Sequence, residues 1–265
     1  MKILAVDSSS KIYSAALFEG NQRLTDLFSN SPSGDAKSES ADASHHLKKE
    51  SLRLRPDATS SLFRLIQQLI ERQGWSISQI EGLAVAQGPG LFTGLRVGVV
   101  AAKMLAYSLE IPLVAVNTLD AIAWQTAKIV PSPQSYSGLQ VLIGAQRKQW
   151  FVREYRWPDP FFELSQQHEK NWYDSMIQSE AATKIVTIEQ FTQQLPPNSL
   201  ISGSGLHELK TQGVQLPGIW APQPVWNCTA TSIGQLAWLK FRAGELADIW
   251  SLEPLYYRPS YAEEN

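Results

Sequence analysis

Glycines stand at 88, 90, 94 and 98 within AVAQGPGLFTGLRVGVVAAKMLAY, residues 84–107. A glycine turn between an apolar run and a helical run lets backbone amides approach a phosphate. Gly88 and Gly90 flank Pro89 for such a turn, and Thr93 is placed to cap the helix and leave its positive end facing an anion. Asp7, Ser8 and Ser9, which follow the apolar KILAV, add a carboxylate able to hold a metal-nucleotide through water. Together with the glycines of Gly203 to Gly205 they would complete the nucleotide cradle of a kinase or ATPase. The bland reading is that Asp7 caps a serine turn and SGSG is an ordinary loop. Neither GxxxxGK[ST] nor GxGxxG is present, and no lysine is placed to reach a terminal phosphate. The competing reading of the same glycines is packing. Gly94, Gly98 and Ala102 recur every four residues and clear one stripe of a helix for a neighbouring backbone, while Leu95, Val97, Val99, Val100, Met104 and Leu105 leave the other faces apolar. Arg96 and Lys103 share one face.

Other chemistry is poorly represented. Cys228 is the sole cysteine, so an intrachain disulfide and a thiolate zinc site are both excluded, and WNCTAT offers it no activating base. His45 and His46 are adjacent rather than at i, i+4, which disfavours a shared metal. No HExxH and no nucleophile elbow argue for a peptidase. No metal and no cofactor of its own are expected.

The elements that must position these residues read clearly in the first half. KILAVD (2–7), YSAALFEG (13–20) and QRLTDLF (22–28) are three strands joined by tight turns. Residues 29–54 are rich in Ser, Ala, Asp and Lys and are expected to form a flexible insertion loop. ATSSLFRLIQQLIERQG (58–74) sets Leu62, Leu65, Ile66, Leu69 and Ile70 on one helical stripe and ends at Gly74. GLAVA (82–86) and PLVAV (112–116) are buried strands, NTLDAIAWQTA begins a helix, and LQVLIGA (139–145) with QWFVREY (149–155) makes a hairpin. NSLISGSGLHEL (198–209) is a strand running into a glycine turn, and TATSIGQLAWLKFRAGE (229–245) is a helix ending at Gly244. This order predicts an α/β protein with mixed sheets flanked by helices, divided into a first lobe at 1–125 and a second at 126–265 whose last helix and tail return to the first.

The chain has 265 residues, 43% of them hydrophobic, and a net charge of −2. That composition supports a real core and gives no bulk basic field for nucleic acid. The apolar run before Asp7 is too short for a signal peptide, and no segment reads as a span of about 18 apolar residues, so a cytoplasmic protein is expected.

KILAVDSSSKIYSAAL, GLAVAQGPGLFTGLRVG, the alanine-rich helix after it and EPLYYRPSYAE together resemble the bacterial TsaB (YeaZ-like) family. The resemblance is strong over 1–28 and 58–125 and looser beyond. It implies an actin-like (ASKHA, ribonuclease H-like) fold of two related lobes, and a role in forming threonylcarbamoyladenosine in tRNA. It implies a subunit without chemistry of its own, which pairs with the catalytic paralogue TsaD in an assembly that engages the ATPase TsaE. tRNA would be met only through that complex, and ATP or ADP only at one of its interfaces. In such complexes the helices matching 58–73 and 93–109 form the contact, and relatives also self-pair as homodimers there. The expected partner or dimer face is therefore Leu62, Leu65, Ile66, Leu69, Gly94, Arg96, Gly98 and Ala102. Asp7, Ser8, Ser9, Gly88, Gly90 and Thr93 remain candidate anion or nucleotide contacts. TsaD carries an HxEGH metal motif where this chain has Thr118 and Ile122, and isoleucine cannot ligate a metal. The chain also departs from the family at Asp57, where an H-[ST] pair is usual, and at Gly144, Gln146 and Gln149, where a D-A-R-x-x-E run is usual. Two alternatives stay open: a stand-alone ATP-dependent kinase or ATPase, and a self-pairing divergent paralogue with no tRNA role.

Overall fold

The computed structural model describes residues 1–20, 22–30, 58–130, 135–157 and 182–257. Of the loop expected at 29–54, residues 29 and 30 are instead the end of a strand, and 31–54, with His45, His46 and Asp57, fall outside the described residues.

Two five-stranded sheets organise the chain. The first comprises β1 (Lys2–Asp7), β2 (Ile12–Glu19), β3 (Gln22–Asn30), β4 (Gly82–Gly88) and β5 (Leu113–Asn117), in the spatial order β3-β2-β1-β4-β5. The second comprises β6 (Leu139–Gly144), β7 (Gln149–Tyr155), β8 (Lys184–Thr187), β9 (Leu200–Ser202) and β10 (Ile219–Trp220), in the order β10-β9-β6-β7-β8. Each sheet begins with an antiparallel meander of three strands, then adds two parallel strands on the far side of its first strand. The same topology is thus built twice, as an actin-like pair of lobes requires.

The helices are α1 (Ala58–Gln73), α2 (Phe92–Leu109), α3 (Thr118–Ile129), α4 (Ile188–Gln194), α5 (Gly205–Thr211) and α6 (Ala230–Ala243). Along β1, alternate residues serve different cores. Leu4 and Val6 join α1 and α2, whereas Ile3 and Ala5 join α3 and α6. Because both faces are covered, β1 reads as an unbroken apolar run rather than an alternation. The α3 and α6 core also includes Leu139, Val141 and Tyr155 of the second sheet, so it joins the lobes. The last helix, α6, packs on β1, β2, β4 and β5 of the first lobe. A third core, under α4 and α5, covers the outer face of the second sheet with Leu142, Trp150, Ile201 and Trp226.

Strands β8 and β10 and helices α4 and α5 were not read from the sequence. They are two to seven residues long, too short for a periodic pattern to register.

Candidate interaction face

The glycine turn is packed against the chain itself. Gly88 closes β4 with φ 122°, a conformation open to glycine and costly for other residues. A Cβ on Gly90 would strike the Ser9 carbonyl, one on Gly94 the Ser8 carbonyl, and one on Gly98 the Ser8 hydroxyl. The Leu91 amide donates to Ser9 O at 2.7 Å, and Ser8 Oγ donates to Gly94 O at 2.8 Å. The space expected for a phosphate is filled by the turn after β1.

Two expectations from the sequence bear on this turn. Asp7, Ser8 and Ser9, expected as anion contacts, are buried against α2, Asp7 completely at 0% exposure. The structure corrects the Thr93 cap: α2 starts at Phe92, its N-cap is Leu91, two residues before the expected one, and no side chain caps it. Asp7 Oδ1 accepts from the Ser9 amide at 2.9 Å. Burial nonetheless pushes its carboxyl above the usual carboxylate range, and burial, followed by the Asp7 charge, pushes the neighbouring Cys228 thiol well up. Around Gly203 to Gly205 the picture is the same. Gly203, at φ 116°, lies on the Leu142 backbone, and Gly205 lies on the Trp150 indole.

The small-residue stripe faces inward. Gly94, Gly98 and Ala102 are buried, as are Leu62, Leu65, Ile66 and Leu69, which pack with Leu4, Leu17 and Leu83 in the first lobe's own core. Of the eight residues expected at a partner face, Arg96 alone is exposed. A four-residue repeat of small side chains signals close backbone approach; here the approaching backbone is the Ser8–Ser9 turn of the same chain.

The outward side of α2 carries large apolar groups. Phe92, Val100, Met104 and Tyr107 lie along one row, the last three 54%, 60% and 62% exposed. A C-terminal strap runs beside them. Its Ala247 amide donates to Leu113 O at 2.8 Å, its Leu255 amide donates to Gln87 O at 2.9 Å, and Gln87 Nε2 donates to Glu253 O at 2.8 Å. Both cations of α2 hold the strap: Arg96 Nε donates to Tyr256 Oη at 3.0 Å, and Lys103 Nζ to Leu252 O at 2.9 Å. The Arg96 guanidinium also lies 3.8 Å over the Phe92 ring.

The strap brings Trp250 edge-on to Tyr107, ring centroids 5.5 Å apart, and leaves the indole 74% exposed. Its backbone is fixed nonetheless. Asp248 accepts from the Trp250 amide at 3.1 Å and from Ser251 Oγ at 2.7 Å, and the Ser251 hydroxyl bond leads in holding the Asp248 carboxyl below its ordinary range. Val100, Met104, Tyr107, Trp250 and Tyr256 were missed as face residues. The available signal was that α2 is apolar all round: once the small stripe is committed inward, the large residues must lie elsewhere. By length and mean hydropathy of 1.2, α2 also passes as a membrane span, contrary to the sequence reading, although its buried side seats it in a protein core.

Thr118 and Ile122 are buried in α3. Between them Asp120 accepts from Tyr155 Oη at 2.7 Å and pairs with Arg153 at 3.1 Å, while burial raises its carboxyl against the pull of that arginine. Among the described residues no three His, Cys, Asp or Glu side chains converge as metal ligands. Gly144, Gln146 and Gln149 lie in the β6–β7 hairpin, whose tip holds Gln146, Arg147 and Lys148 all at positive φ.

Comparison with known proteins matches residues 57–158 to the family model described as TsaD, tRNA N6-adenosine threonylcarbamoyltransferase. The threonylcarbamoyltransferase of Methylorubrum extorquens is 48% identical over 62 residues, 23% of this chain and 18% of that protein. This chain therefore spans under a fifth of that enzyme's length. The tRNA threonylcarbamoyladenosine biosynthesis protein TsaB of Escherichia coli is 24% identical over 207 residues, covering 77% of this chain and 82% of that one. Among solved structures, YeaZ from Pseudomonas aeruginosa superposes with a TM-score of 0.64 at 19% identity, covering 96% and 99% of the two chains. A Pseudomonas aeruginosa protein described as similar to peptidase YEAZ superposes at 0.67 with 19% identity, covering 97% and 99%. In sequence and in fold, the chain is TsaB/YeaZ-like.

Proposed function

We propose that this chain is the non-catalytic partner of a TsaD-like protein in forming threonylcarbamoyladenosine in tRNA, and that it docks through the outward face of α2 and the strap. The observation that carries this reading is the exposed row of Val100, Met104 and Tyr107 joined to a fixed Trp250. A contiguous apolar face of this kind marks an interaction site. Covering each such side chain contributes about 1.5–3 kcal/mol before the costs of association. The name of the Escherichia coli relative supports the tRNA pathway, and the TsaD match across α1 and α2 supports a partner with a related helix pair. A TsaE-like ATPase joins the assembly, ATP or ADP sits at that interface, and tRNA is met through the complex, in the cytoplasm. Without TsaD, two copies of this chain pair through the same face.

Co-expression with the TsaD-like protein of the same organism tests the proposal. The wild-type chain is expected to co-elute with it, and a Met104→Glu, Tyr107→Glu chain to elute alone with its melting temperature kept. Failure of the wild type to associate, with or without ATP and the TsaE-like protein, overturns the pairing. Undiminished association of the double variant overturns the assigned face.

A further inference from the structure

The second lobe holds a cavity of about 570 Å3, past the C-terminal end of α5 and away from the Gly203–Gly205 turn. Lys210, Val214, Leu216, Trp220, Gln223 and Trp226 line it. That volume suits one small ligand.

Its chemistry is specific. Trp226 is buried and its Nε1 donates to Ala221 O at 2.8 Å, so it forms a fixed apolar backing to the cavity rather than an open face. Trp220 meets it at 70° with centroids 5.7 Å apart, and the two indoles form a corner. The His207 ring, 5.0 Å from Trp226 and at 71° to it, braces the corner. A flat ring can lie on the half-buried Trp220 indole, which Trp226 backs from within, the offset stacking that aromatic pairs prefer. At the rim, Lys210 Nζ lies 5.9 Å from the Trp226 centroid and 3.5 Å from Gln223 Oε1. One ammonium donor is directed to Gln223, which leaves two for an acceptor. An ammonium already over the indole repels a cationic guest and attracts an anionic one. A Cβ on Gly213 would meet nothing within 4 Å, so the mouth is open.

We propose that this cavity binds a flat aromatic ring carrying a carboxylate or phosphate, the ring on Trp220 and the anion on Lys210 and Gln223. The site is independent of the α2 face.

The test is a titration of the 15N-labelled full chain, following the indole Nε1–H resonances assigned with Trp220→Phe and Trp226→Phe. The probes are indole-3-acetate, adenosine 5′-monophosphate, neutral indole and inorganic phosphate. Saturable shifts of the Trp220 and Trp226 resonances are expected with an aromatic anion, about tenfold weaker in Lys210→Ala. Tighter binding of the carboxylate identifies a free aromatic acid as the ligand source, and tighter binding of the monophosphate identifies a nucleotide. Neutral indole should bind more weakly and phosphate alone should leave both resonances unmoved. Lys210 is exposed, so its alanine variant keeps the fold. No shift at about 10 mM of either aromatic anion, which would place any affinity weaker than millimolar, overturns the proposal. Equal shifts in Lys210→Ala overturn it too, as does equal binding of neutral indole.

Discussion

Both lobes follow the fourth strand of their sheets with a glycine turn, the first with a cis peptide bond at Gly88-Pro89 and the second without one. In the first it is Gly88-Pro89-Gly90 and in the second Gly203-Ser204-Gly205, with φ of 122° and 116° at the leading glycine. What lies under the second glycine differs. Gly90 rests on the Ser9 carbonyl, while Gly205 rests on the Trp150 indole and the end of Leu142. The helices that follow differ too: α2 has 18 residues and an apolar outward row, whereas α5 has seven. A repeated glycine turn therefore fixes a close approach and says nothing about a ligand. Function is distinguished by what the helix after the turn leaves uncovered.

Four substitutions would break or sharpen that comparison. Gly90→Ala sets a methyl against backbone that cannot step aside and should cost about 3 kcal/mol, the upper end for overpacking. Thermal melts should fall by about 6–12 °C, at roughly 2–4 °C per kcal/mol for a chain of this size. Trp250→Ala should leave the melt unchanged and weaken partner association about thirtyfold, roughly 2 kcal/mol, as measured by calorimetric titration. Gly205→Ala meets the end of Leu142, which can turn aside, and the buried Trp150 ring, which must tilt, and should cost less than Gly90→Ala, about 1–2 kcal/mol. A larger loss there than in Gly90→Ala would mean that the two turns had been read the wrong way round.

The gentlest probe is Asp7→Asn, beside the turn that fills the first cradle. Burial raises the native carboxyl above its unfolded value of 3.8, so between those two values the native state binds the proton more readily than the unfolded state. Stability therefore falls as pH rises through that window and stays lower above it. Denaturant melts across pH should show this slope in the wild type and its loss in Asp7→Asn, which should be the more stable protein at neutral pH.

Much of this architecture is legible in the chain. Buried central strands such as KILAVD and GLAVA announce themselves as apolar runs, and α1 through its Leu62–Leu65–Ile66–Leu69 stripe. The candidate face was not legible for two reasons. Ser8 and Gly94 meet across 86 positions, so the small stripe could not be assigned to an inner or an outer neighbour. Trp250 reaches Tyr107 through a strap with no helix or strand of its own, whose course depends on hydrogen bonds to Leu113 and Gln87. The β6–β7 tip was hidden differently. Gln146, Arg147 and Lys148 occupy left-handed conformations for which glycine or asparagine is the usual signal.

The strap alters what α2 is. Arg96 and Lys103 are the helix's only charged residues, and both are tied to the segment that follows Leu246. Remove that segment and the helix would present two free cations beside its apolar row, and no indole. The identity of this surface is therefore written at the far end of the chain, about 150 residues beyond the helix that displays it, as the separations of 160 for Arg96–Tyr256 and 149 for Lys103–Leu252 record.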